Sequence, residues 1–452
     1  MEDLLDLWIA EQKKIGRRGR KPFIGVRGYK HFDSCIGLSA YAHKGTTRDE
    51  LICLRMLKEH KYWPFIRDDK AIVRYAKNSG AIYKKKKNRP IMYAAHRDAA
   101  IFSFYSFILK RFYEEEIRGS RLENEIIAYR RIPAAQRKGN KSNIDFAKEI
   151  YELVGQCHGE NVVFCFDVSA FFDNMSHEIL LRNVKNFLDE QPDLVQHYEL
   201  ILKPILKYRY VFRREAKRFF GKESFIDPRK YNQHIRDSYL VHKNKRQKGI
   251  PQGSPISDIL SNIYMYEFDM EISNYVGSIN GAVYRRYCDD IFIMVPMARA
   301  NEVFKKVSDT IKLLELELNN KKTEAFLVDA SRGVLEDISD RYIAGYTANE
   351  KRARKRWIQY LGFEFDLQNI YVRAKSVSKL YHKVRLIGRG KHKRKTKRAM
   401  KGRHRKQGSI YCYIQMSAKR IGSPSLKLQE KKIRRRTKRM LSVTTGRGSR
   451  VG

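Results

Sequence analysis

Three aspartates in apolar surroundings are the residues of this sequence best suited to chemistry. Asp167 ends the run Val162-Val-Phe-Cys-Phe166, and Asp289 and Asp290 fall between Val283-Tyr-Arg-Arg-Tyr287 and Ile291-Phe-Ile-Met-Val295. Each site alone also has an ordinary structural reading, Asp-Asp as a turn and Asp167 as a helix N-cap. Uncompensated carboxylates at the end of a sheet are costly to bury. A hard divalent cation removes that cost, because Mg²⁺ takes oxygen ligands and keeps positions for water and phosphate. Two such ions about 3.5–4 Å apart could activate a 3′-hydroxyl and stabilise a pyrophosphate leaving group.

Holding those carboxylates takes strands, and the flanking segments alternate or run apolar as strands do. A β-hairpin with Asp289 and Asp290 at its turn would present both at the end of a sheet. Upstream, Ile101, Phe104, Tyr105, Ile108, Leu109 and Phe112 recur at spacings of three and four, which predicts a helix from Ala94 to about Ile117. Ile410-Tyr-Cys-Tyr-Ile-Gln-Met416 has the pattern of a buried strand or helix face. Strands interspersed with helices, with no internal repeat and no regular βαβ period, predict an α+β core.

The chain has 452 residues and a formal net charge of +43, with 42% hydrophobic residues. That apolar content excludes wholesale disorder, and the charge calls for a polyanion, either nucleic acid or an anionic membrane face. No apolar run approaches the roughly 18 residues that span a bilayer, and Met1-Glu2-Asp3 is an acidic start unlike a signal peptide. The partner expected is nucleic acid, with no membrane. From Arg373 onward there are 28 Lys and Arg against one acid, Glu430; the preceding 372 residues carry 65 against 49. Most of the surplus is therefore a C-terminal module, expected to be folded or ordered on RNA. The six cysteines include no C-x-x-C pair, which favours a reducing, cytosolic setting and gives no zinc site.

The order of further motifs adds to the aspartates. Tyr287-Cys-Asp-Asp290 resembles the Y-x-D-D motif of the reverse transcriptases, and Phe166-Asp-Val-Ser-Ala-Phe-Phe-Asp173 their first catalytic strand in bacterial members. Gly249-Ile-Pro-Gln-Gly-Ser-Pro-Ile-Ser257 is similar to their P-Q-G-S loop, Leu318-Asn-Asn-Lys-Lys-Thr-Glu324 to the N-x-x-K-T motif, and Tyr360-Leu-Gly-Phe363 to the primer grip. Ala128-Tyr-Arg-Arg131 with Lys138-Gly-Asn-Lys-Ser-Asn143 resembles the fingers motif. The resemblance covers roughly Arg89 to Asp366. It implies a right-hand polymerase fold: an N-terminal extension over 1–85, fingers over 86–160 with a contribution from 205–248, a palm with an antiparallel sheet over 161–366, and a helical thumb with the basic module over 367–452.

The resemblance also implies roles. Asp167, Asp289 and Asp290 would be catalytic metal ligands for two Mg²⁺ ions, joined by the carbonyl of Val168. Lys322 would be the general acid for pyrophosphate, with Lys321 its rival. Arg130 and Arg131 would clamp the dNTP phosphates. Phe172 falls where the family has its sugar gate, although one of Phe171 and Phe172 belongs to the core. Gln252 would contact nucleotide or template, with Gly253 allowing close backbone approach. Tyr360, Leu361 and Gly362 would grip the primer. Lys391, Lys393, Arg394, Lys395, Arg403, Arg405, Arg434 and Arg435 would hold RNA phosphates, and Tyr411 and Tyr413 could stack on bases or pack in the core.

Lys84-Lys-Lys-Lys-Asn-Arg-Pro-Ile-Met-Tyr-Ala-Ala-His-Arg-Asp98 looks like the corresponding segment of the bacterial "unknown group" enzymes. Among these the chain most resembles the anti-phage defence class that works with an adjacent non-coding RNA. That likeness implies a cytoplasmic bacterial enzyme copying a structured RNA, both scaffold and template, into cDNA from dNTPs. The alternatives are a template-independent or protein-primed DNA polymerase of the same family, and an RNA-binding scaffold with a vestigial site. Oligomeric state is left open by the sequence.

Overall fold

In a computed structural model the described residues are 1–16, 29–33, 45–78, 81–189, 191–219, 228–343, 357–388 and 410–445. They pack into two units. The first comprises Met1–Asn124, Val168–Ser273 and Ser308–Glu317; the second comprises Glu125–Asp167, Asn274–Val307 and Leu318–Gly452.

In the first unit, β1 (Phe65–Asn78), β2 (Ala81–Tyr93), β4 (Arg209–Phe212) and β5 (His242–Lys243) pair in the order β2-β1-β4-β5. The antiparallel β1–β2 hairpin runs from Ile66↔Tyr93 to Asn78↔Ala81. The helix His96–Glu116 follows it, and Ile101, Phe104, Tyr105, Ile108 and Leu109 are buried as the periodicity requires. A smaller core of Phe32, Ile66, Val211, Tyr231 and Ile235 lies under the sheet.

The second unit holds a five-stranded antiparallel sheet in the order β6-β7-β3-β8-β9, from β3 (Asn161–Asp167), β6 (Val283–Tyr287), β7 (Asp290–Pro296), β8 (Glu324–Asp329) and β9 (Val334–Asp337). The central strand β3 is apolar along most of its length because both its faces are covered. β10 (Ile358–Tyr360), β11 (Phe363–Phe365) and β12 (Ile370–Val372) form a second antiparallel sheet in this unit.

The segment from Ile410 is a helix, Ile410–Ile421, rather than a strand. Ile410, Ile414, Ala418 and Ile421 recur at four, four and three residues, a helical face. The basic helix Pro424–Thr445 follows it. Ile414, Leu426 and Ile433 are buried in one core with Val163, Phe292 and Phe363. The open edge of β12 is closed by side chains of that last helix. Ser425 and Gln429 each accept a hydrogen bond from an N–H of the strand, at Ile370 and Val372, and donate one to its carbonyl. Unpaired strand groups are thereby satisfied without another strand. Among the described residues no helix is long and apolar enough to cross a membrane.

Candidate active site

Strand register brings the aspartates together within the second unit. Asp167, last residue of β3, is the Cα partner of Asp290, first residue of β7. β6 and β7 form a hairpin closed at Tyr287↔Asp290, so Cys288 and Asp289 are its two turn residues. Cys288 sits at φ 62°, a left-handed backbone uncommon outside glycine. Two hydrogen bonds brace it: Tyr129 Oη donates to Cys288 Sγ at 3.1 Å, and Arg286 Nη1 donates to the Cys288 carbonyl at 3.1 Å. Burial pushes the thiol up to about 12, helped by the Asp289 charge, so it stays protonated. Cys288 is a buried turn residue.

The segment Leu318–Glu324 fixes Asp167 from the other side. Asn319 N donates to the Asp167 carbonyl at 2.7 Å and Asn319 Nδ2 to its carboxylate at 3.2 Å. Lys322 Nζ lies 2.5 Å from both carboxylate oxygens. Both lysines are exposed, and that contact alone separates them: Lys322 is the one at the carboxylate. Asn319 carried no predicted role, although its motif was the signal.

The electrostatics show what these carboxylates lack. Asp290 is pushed up to about 7, first by burial and then by the charges of Asp289 and Asp167; Lys322 and Arg373 offset this only in part. Burial and the two neighbouring carboxylates thus disfavour the charged form of Asp290, a cost that a bound cation would relieve. Among the described residues no group of three His, Cys, Asp or Glu side chains is ready to hold a metal ion. The donor set fits Mg²⁺ in its more usual form, one or two carboxylates with the remaining oxygens from water and phosphate.

Tyr360 is buried against Phe292 of β7, with ring centroids 5.5 Å apart, and its hydroxyl is without a hydrogen-bond partner among the described residues. Leu361 (φ 44°) and Gly362 (φ 92°) make the two-residue β10–β11 turn, so of the expected primer grip only these two reach the surface of the hairpin. Tyr413 packs beneath that turn, taking a hydrogen bond from Asn143 Nδ2 at 3.1 Å. Tyr411 is likewise half-buried against the same core. Arg130 Nη1 donates to the Ile126 carbonyl at 2.8 Å, and Arg131 is exposed.

The first unit holds the remaining candidates. Phe171 and Phe172 are both buried, at 3% and 8% exposure, so burial does not tell the gate from the core residue. The loop Gly249–Ser257 is strapped to their segment, Ile250 N donating to the Phe172 carbonyl at 2.9 Å and Gly249 N to that of Met175 at 2.8 Å. Gly249 has φ 90°, and a Cβ there would meet the Asp173 carbonyl oxygen at 2.8 Å. At Gly253 (φ 108°) a Cβ would meet the Met92 carbonyl oxygen at 3.0 Å. The Gln252 carbonyl accepts from Met92 N at 2.8 Å, and its side-chain oxygen accepts from Arg89 Nε at 3.0 Å. Arg89, which carried no predicted site role, is the cation the fold sets beside Gln252; its signal was the Arg89-Pro90 pair within the lysine-rich segment. Arg434 and Arg435 are exposed on the last helix. Lys391, Lys393, Arg394, Lys395, Arg403 and Arg405 lie outside the described residues.

Residues 82–365 match the family described as reverse transcriptase (RNA-dependent DNA polymerase). The chain belongs to that family. With it comes the right-hand polymerase fold of mixed helix and sheet, and the carboxylate-bearing antiparallel sheet of the second unit is its palm. Two solved telomerases are similar at 11% identity. The apo enzyme of Candida tropicalis, truncated from its C-terminal domain, matches over 72% of this chain at a TM-score of 0.39. That of Candida albicans, in complex with a TWJ fragment of telomeric RNA, matches over 89% at 0.43. This chain spans about 60% of the length of each.

Proposed function

We propose that this reverse transcriptase copies a structured non-coding RNA, which is also its scaffold, into cDNA in bacterial anti-phage defence. The observation that carries the polymerase reading is the pairing of Asp167 with Asp290 across β3 and β7, Asp289 beside them at the turn and Asn319 and Lys322 on Asp167. Asp167, Asp289 and Asp290, with the Val168 carbonyl, would hold two Mg²⁺ ions, which when bound supply Lewis-acid activation of a primer 3′-hydroxyl and charge neutralisation at the triphosphate. Lys322 would be the general acid for the leaving pyrophosphate. Arg89 and Gln252 form a polar pair suited to a nucleotide, and Phe172 would be the ring that refuses a ribose 2′-hydroxyl. The exposed Arg434 and Arg435 supply phosphate contacts along an RNA helix.

The non-coding RNA and the defence role rest on the likeness of Lys84–Asp98 to the bacterial "unknown group" and on the basic C-terminal module. Sequencing the nucleic acids that co-purify with the protein tests them directly. One enriched RNA together with DNA complementary to part of it is the expected result. Unselected cellular RNA with no complementary DNA would overturn the reading. Phage protection in cells should disappear with Asp289→Ala/Asp290→Ala.

A further inference from the structure

A cavity of about 680 Å³ in the first unit carries charge opposite to that of the molecule. Its lining includes four carboxylates, Glu115, Glu116, Asp189 and Glu267, and neither lysine nor arginine. In a chain with 93 Lys and Arg against 50 Asp and Glu, such a lining runs against composition. Glu115 and Glu116 end the helix His96–Glu116, which has no basic residue in its last turn. The helix His177–Phe187 also finishes at this cavity. Two helix C-termini, each the negative end of a peptide dipole, therefore add to the carboxylates, the second of them offset in part by Lys185 in its last turn.

Two further features indicate what kind of cation. Phe112, Phe187 and Tyr266 give the cavity aromatic walls, suited to alkyl chain and to ammonium over a ring face. Asn183, 2% exposed, also lines it. Its Nδ2 is committed to the carbonyls of Ile263 and Tyr264 at 3.4 and 3.3 Å, which leaves Oδ1 buried with no donor among the described residues. Among the described residues Glu115 pairs with Arg118 at 3.3 Å, Glu267 with Arg182 at 3.0 Å, and Glu116 accepts from Tyr266 Oη at 2.8 Å. Exposed pairs of this kind exchange readily for a better cation. No metal-binding group of three side chains is present among the described residues.

We propose that this cavity binds an organic polycation, a linear alkylammonium of the polyamine class, whose amines meet the carboxylates and Asn183 Oδ1 while its methylenes lie on the rings. A net charge of +43 repels free polyamines in general, so saturable binding requires a local site of this kind. The test is calorimetric titration of nucleic-acid-free protein with spermidine, with Mg²⁺ at matched ionic strength, and with a peptide of the sequence 391–398. Saturable one-to-one binding of spermidine is expected, falling at least tenfold in Asp189→Asn/Glu267→Gln and in Glu116→Gln. These substitutions are near-isosteric at exposed positions, and unchanged circular dichroism confirms the fold. Spermidine heats that the substitutions leave unaltered, or that Mg²⁺ reproduces, overturn the proposal. Preferential binding of the peptide also overturns it, since the cavity would then receive a basic polypeptide segment.

Discussion

Asn319 and Asp290 show how much of the site rests on single side chains. Asn319 holds Asp167 through both backbone and carboxylate, and losing such an outer contact typically costs 10- to 100-fold in metal affinity or activity. Asn319→Ala should raise the Mg²⁺ concentration for half-maximal primer extension about tenfold while leaving the melting temperature within a few degrees. Asp290 titrates near 7 in the fold against an ordinary 3.8. An acid whose folded pKa is raised withholds stability as it ionises, so the metal-free protein should weaken as pH rises from about 4 to 7 and then level off. Asp290→Asn should therefore raise the metal-free melting temperature at pH 8 by several degrees and at pH 4.5 by far less. An equal gain at both pH values would show that Asp290 is not strained by its charge. These aspartates were legible in the sequence because a carboxylate at the end of an apolar run is rare. Asn319 was not singled out, because an asparagine in a turn has a commonplace local use.

At the scale of elements, the strands that carry the aspartates and the first long helix follow from hydrophobic periodicity. The β1–β2 hairpin does not: Lys84-Lys-Lys-Lys87 breaks any alternation, and pairing with β1 supplies the order that local pattern lacks. Nor does the covering of β12 by Ser425 and Gln429, since it joins residues more than fifty apart. The loop Gly249–Ser257 was recognisable as a motif, yet its strap to Met92 is visible only in three dimensions. Gly253→Ala would need both a left-handed alanine and retreat of the Met92 carbonyl. Its cost should be about 1–3 kcal/mol of local order, read as a several-fold rise in KM for dNTP. An unchanged KM would mean that the loop tolerates displacement.

For the whole molecule, the charge divides by structure as well as by sequence. Removing everything beyond Arg389 to test RNA binding would also remove Ile414, Leu426 and Ile433 from the core of the second unit. Losses of about 2–5 kcal/mol per large apolar residue make that truncation a test of folding rather than of binding. Arg434→Gln/Arg435→Gln changes exposed charge alone. It should weaken RNA binding across sequences and reduce the slope of log affinity against log salt by roughly one to two; an unaltered slope would place the phosphate contacts elsewhere.

The claim that bears most weight is that Asp167 at the end of β3, Asp289 in the β6–β7 turn and Asp290 at the start of β7 perform RNA-templated DNA synthesis. Incorporation of labelled dNTPs on a primed RNA template, with and without Mg²⁺, measures it for the wild type and for Asp289→Ala/Asp290→Ala. Mg²⁺-dependent extension by the wild type, absent from the variant, is the expected result. Extension by the variant at the wild-type rate would contradict the assignment.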